Sequence, residues 1–148
     1  MAGLLVVAQT DEVATATTQK TMVQIIAPAN QRLLVHEISI SFDGTSNTAE
    51  PIRVQVVRQT SAGTATTLTL VKWNDDDTET IQTTATNNAT VEPTSTDVVM
   101  QEQVHPQGGF NWQAQYGKAI VVPGGGRLAI AVKSGAVVNG AVRMLVEE

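Results

Sequence analysis

Cysteine is absent from this chain of 148 residues. That excludes disulfides, thiolate nucleophiles and cysteine metal sites together, and it is compatible with folding in a reducing cytoplasm. Aromatic residues are nearly as scarce, at 3%. Phe42, Trp73, Phe110, Trp112 and Tyr116 are all the rings there are. Rings normally supply much of a core's buried area. This core must rest instead on valine, isoleucine, leucine and methionine, each worth about 1.5–3 kcal/mol when fully buried. A core so thin predicts that subunits bury further apolar surface against one another.

Positive charge is also in short supply. Nine Lys and Arg stand against 14 Asp and Glu, for a net charge of -5 and a pI near 4.9. A nucleic-acid partner calls for a basic surface that displaces counterions from phosphates, so none is expected here. Long hydrophobic runs are missing as well. The apolar run Leu4 to Ala8 has no basic residue before it and is too short for a signal-peptide core or a membrane span. It reads as an N-terminal strand, and residues 1–20 as an N-terminal arm or edge strand. The expectation is one soluble domain over residues 1–148 with no membrane partner.

What the chain has is alternation, with threonine and valine its commonest residues. From Leu34 the period of two places Leu34, His36, Ile38, Ile40 and Phe42 on one side of an extended backbone and Glu37, Ser39 and Ser41 on the other. The rhythm returns with Ile52, Val54 and Val56 facing inward, and with Leu128, Ile130 and Val132. It recurs with Val142, Met144 and Val146, and with Val98, Met100 and Val104 sharing a face. Residues 51–73 read as a hairpin around Ser61-Ala62-Gly63-Thr64. Residues 78–96, polar and rich in threonine and asparagine, read as a long excursion with at most one short strand. No helix of three turns is needed. The pattern predicts an all-β fold, a jelly-roll-like β-sandwich of eight to ten mostly antiparallel strands.

Candidate chemistry is sparse. His36 shares its strand face with aliphatic residues and reads as a hydrogen-bonded strand histidine, since no second ligand lies at metal spacing. His105, the other histidine, precedes Pro106 at a strand end. Asp75, Asp76, Asp77 and Glu79 form the densest acidic cluster, but without the glycine and distant glutamate of a calcium loop they read as a solvated loop. Pro123-Gly124-Gly125-Gly126-Arg127 lacks the Lys-Ser or Lys-Thr of a phosphate loop and reads as a hairpin turn. Gln107-Gly108-Gly109-Phe110-Asn111-Trp112 offers two rings on a flexible backbone, as a cap on the core or as a carbohydrate platform. Asn88-Ala89-Thr90 matches a glycosylation sequon by chance composition. No Gly-x-Ser-x-Gly elbow occurs. No catalytic, cofactor-binding or metal-binding residue is assigned.

The runs Arg32 to Phe42, His105 to Trp112 and Val122 to Ile130 resemble small virion proteins of tailed bacteriophages, notably the capsid decoration or cement proteins. The resemblance implies a β-sandwich, made in the host cytoplasm, that binds the outer surface of the capsid and stabilises the head. It implies the major capsid protein as partner, a homo-oligomer with a trimer favoured, no cofactor and no enzymatic activity. Repetition on a symmetric lattice would add avidity to modest contacts. The alternative is a receptor- or carbohydrate-binding module of a phage tail. A hydrolase would need a carboxylate pair facing a cleft, for which the sequence offers only the Asp75–Glu79 loop.

Overall fold

β-branched residues dominate the alternating segments, and they suit a pleated, half-buried backbone because their restricted χ1 packs well there. The computed structural model describes residues 3–148. They form thirteen strands and no helix: β1 (Leu5–Gln9), β2 (Val13–Ala14), β3 (Lys20–Ile26), β4 (Leu33–Phe42), β5 (Ile52–Gln59), β6 (Thr64–Leu68), β7 (Val71–Lys72), β8 (Thr84–Val91), β9 (Ser95–Val104), β10 (Gly109–Gln113), β11 (Ile120–Val122), β12 (Arg127–Lys133) and β13 (Asn139–Glu147). The excess over eight to ten lies in short pieces, since β2 and β7 hold two residues each and β11 three. Of the expected arm or edge strand over residues 1–20, the first two residues lie outside the described residues. The remainder is β1, fully within a sheet, followed by β2.

Two antiparallel sheets make a β-sandwich. Sheet A runs β10-β4-β13-β1-β7, with β11 also on β4 and β2 on β13; sheet B runs β6-β8-β3-β12-β5-β9. The core lies between them and is built as the composition requires, from Met22, Ile25, Leu33, Ile38, Ile40, Ile52, Leu128, Ile130 and Met144, all fully buried. Phe110 and Trp112 are half-buried against its margin.

Bulges set which faces are buried. In β4 the register against β13 jumps between Leu145–Glu37 and Val146–Val35, leaving His36 as the extra residue. The phase of the strand flips there. Leu33 and Val35 face the core before the bulge, and Ile38, Ile40 and Phe42 after it. Leu34 and His36 therefore face outward, and do not share a face with Ile38 as strict alternation predicts. The same happens in β9. Val98 pairs with Val57 and Met100 with Val56, so Val99 is extra. Val98 stands exposed opposite Val57, which belongs to a small outer cluster with Ala129 and Ala131, and does not share the face of Met100.

Residues 51–73 do not form a hairpin. β5 pairs with β12 and β9, whereas β6 pairs with β8. The segment read as an excursion contains the eight-residue β8, paired on both sides, to β3 and to β6. The connections at 60–63 and 92–94 are bonded to each other: Thr60 N donates to Thr94 O at 3.0 Å and Thr94 N to Ser61 Oγ at 2.9 Å. They close over a polar cluster on the outer side of sheet B. There Gln24 Nε2 donates to Gln59 Oε1 at 2.6 Å and to the Ser61 carbonyl at 3.0 Å. Arg127 Nη1 donates to Gln24 Oε1 at 2.8 Å, and Gln59 Nε2 to Thr21 Oγ1 at 2.8 Å.

Candidate functional site

The register of sheet A fixes a map of its outer face, because residues directly opposite in an antiparallel pair share a side. One row across the sheet reads Val71, Val7 and Leu145, ending at Glu37 and Gln113. The next reads Leu5, Glu147, Leu34 and Val121. On the other side of the first row comes Gln9, Arg143, Ser39 and Asn111, and beyond it Ala141, Ser41 and Gly109. The face is thus divided. One half is aliphatic where a solvated sheet would be polar, and the other half is polar or small. Val71, Trp73 and Val121 are exposed to 55%, 52% and 40% in the aliphatic half and its margin. Among the described residues these side chains form an exposed apolar margin around Val7, which is itself buried.

A hydrogen-bonded His–Glu pair and an Arg–Glu ion pair are set into this face. His36 Nε2 meets Glu147 Oε2 at 2.6 Å, and Arg143 Nη2 meets Glu37 Oε1 at 2.5 Å. Glu147 is the one charge in its row. The Gly3 amide, donating at 2.7 Å, and then His36 hold its carboxyl below the ordinary glutamate range, against the opposing effect of burial. With its carboxylate engaged from two sides, Glu147 interrupts the aliphatic row less than a free charge would.

A shallow depression of about 310 Å³ lies at the β11 end, lined by Leu34, His36, Tyr116, Ala119 and Val121 among others. Its wall is the β10–β11 connection. Ala114 N donates to the His36 carbonyl at 2.8 Å, and Lys118 N to the Gln115 carbonyl at 2.8 Å. Gly117 closes that turn with φ +72°, a left-handed conformation that glycine adopts without strain. This presents the Tyr116 ring wholly to solvent.

The residues singled out by sequence do not converge. His36 is the hydrogen-bonded strand histidine expected, but on the outer face. His105 lies exposed in the β9–β10 loop, its Nδ1 accepting from Gln107 N at 3.1 Å. Asp75, Asp76, Asp77 and Glu79 follow β7, where the Asp77 carbonyl accepts from Lys72 Nζ at 2.7 Å. Among the described residues no three His, Asp or Glu side chains gather in metal-binding geometry. Phe110 and Trp112 pair with Ile40 and Ile38 and pack, half-buried, against the margin of the core. Pro123 to Arg127 is a tight turn with Gly125 at φ +74°, but it carries the chain from β11 in sheet A to β12 in sheet B and is not a hairpin within one sheet. Asn88, at φ 55°, lies within β8.

Sequence reasoning missed Tyr116, Val121, Leu34 and Val71 as surface residues. Only Tyr116 carried a signal, as a ring between Gln115 and Gly117 in a polar turn. No family model, curated protein or solved structure matches this chain.

Proposed function

We propose that this chain is a structural virion protein that binds the outer surface of a bacteriophage head and stabilises it without catalysis. The observation that supports this reading is the division of sheet A's outer face. A sheet face with an aliphatic half, flanked by Trp73 and Tyr116, has the character of a protein-docking surface: an apolar patch with rings at hand beside a polar half. The partner is the major capsid protein. A homotrimer on a local symmetry axis presents three such faces at once, so contacts of modest strength act together.

The test is cosedimentation with heads assembled from the cognate capsid protein. Val121→Asp puts a charge into the aliphatic half and is expected to weaken binding at least tenfold, an order of magnitude set by desolvating one charge at an interface. Ser41→Asp, in the polar half, is expected to bind as the parent does. Equal binding by both variants, with urea midpoints unchanged, would overturn the reading. A second reading, a receptor- or carbohydrate-binding module of a tail, is favoured by Tyr116, whose free ring face stands beside the depression holding His36. Imaging separates the two: a regular array over the head supports the first, copies confined to the tail the second.

A further inference from the structure

β9 is the outer strand of sheet B and bonds β5 along one side. At ten residues it is as long as β4. An edge of that length offers a row of unpaired amides and carbonyls on which the β9 of a second copy could add. Its two halves differ. From Ser95 to Val99 the register against β5 shifts twice, which spoils the ladder. From Met100 to Val104 the pairing is regular, one residue to one, against Val56 down to Ile52.

In the regular half Met100 and Val104 lie opposite the buried Val56 and Ile52, on the core side. Glu102 stands between them on that same side, opposite the buried Val54, yet is itself exposed. An aliphatic residue would suit the place by pattern. Past Val104 come His105 and Pro106, and proline has no amide hydrogen to give a ladder.

A second copy adding by two-fold symmetry can use all five regular residues in a single antiparallel register. Residue 100 then faces 104, residue 101 faces 103, and residue 102 faces its own counterpart. That register sets two Glu102 carboxylates directly opposite each other, an arrangement that destabilises a strand pair. Every other register draws the bulged half or Pro106 into the ladder.

We infer that Glu102 is an edge guard: it keeps β9 from pairing with the β9 of a second copy. This is independent of the reading given above, which concerns the face of the other sheet. The test is a charge exchange followed by light scattering at fixed concentration. Glu102→Gln is expected to raise the particle mass at least twofold over the parent chain. Glu102→Lys alone keeps a like-charged pair and is expected to hold the parent's mass. An equimolar mixture of the parent and Glu102→Lys joins opposite charges and is expected to associate. A mixture that does not associate, together with Glu102→Gln at the parent's mass, would overturn the inference. So would Glu102→Lys associating alone as strongly as the mixture does.

Discussion

Gln24 is fully buried on the outer side of sheet B, which is an unusual place for a carboxamide and makes its truncation informative. Gln24→Ala removes three hydrogen bonds at once, to Gln59, to the Ser61 carbonyl and from Arg127. Two are between neutral groups, and their loss leaves the buried Gln59 carboxamide oxygen and the Ser61 carbonyl of the crossing connection without these bonds. The third comes from a guanidinium that is only half-buried and regains water. At roughly 1 kcal/mol for each bond the loss is about 3 kcal/mol. For a urea slope of about 1.5–2 kcal/mol per molar, the unfolding midpoint falls by about 1.5–2 M. Gln24→Leu fills the space without the bonds, so it separates polar from packing losses. It is expected within about 1 kcal/mol of Gln24→Ala. The assay is equilibrium urea unfolding followed by tryptophan fluorescence. A Gln24→Ala midpoint within about 0.3 M of the parent would refute the claim that this cluster ties the crossing connections to the sheet.

Gly140 lies in β13 under the Phe42 ring, where an added Cβ would meet Phe42 Cδ1 at 3.0 Å and Cε1 at 3.1 Å. Gly140→Ala is expected to cost about 1–3 kcal/mol by overpacking, and Gly140→Ala with Phe42→Leu to recover part of the loss in thermal melts. The carboxyl of Glu147 is lowered from the ordinary 4.5. A lowered folded value stabilises the fold above the ordinary value, and that stability is lost as pH falls through the lowered one. Glu147→Gln should therefore flatten the acid limb of the stability profile below about pH 4.5. Urea midpoints taken at intervals from pH 7 to pH 3 check this, and an acid limb identical to the parent's would contradict it.

The fold was legible where alternation runs unbroken. β5, β12 and β13 bury the residues their spacing predicts, since Val54, Ile130 and Met144 all reach the core. It failed in β4 and β9 because a bulge adds one residue and reverses every later side chain without any compositional mark. Leu34 and Ile38 look alike in sequence, and only the extra residue at His36 puts one outside and the other inside. β8 was hidden because its core-facing residues include Ala85 and Ala89, whose small side chains give little hydrophobic signal. The 51–73 hairpin failed for another reason. Ser61 to Thr64 encodes a change of direction, but the choice of partner strand is made by distant residues. The divided face of sheet A was illegible for the same cause. Leu5, Val7, Leu34 and Leu145 have the composition of core residues, and their outward direction depends on register set across four strands.

Imaging of decorated heads at a resolution that orients the sandwich bears most directly on the docking surface. The prediction is that the aliphatic half of sheet A, with Leu34 and Val121 at its β11 end, lies against the capsid, while β9 points away from neighbouring copies. Heads contacted through the loops at the sandwich ends or through the outer side of sheet B, with Val121 left in solvent, would contradict it.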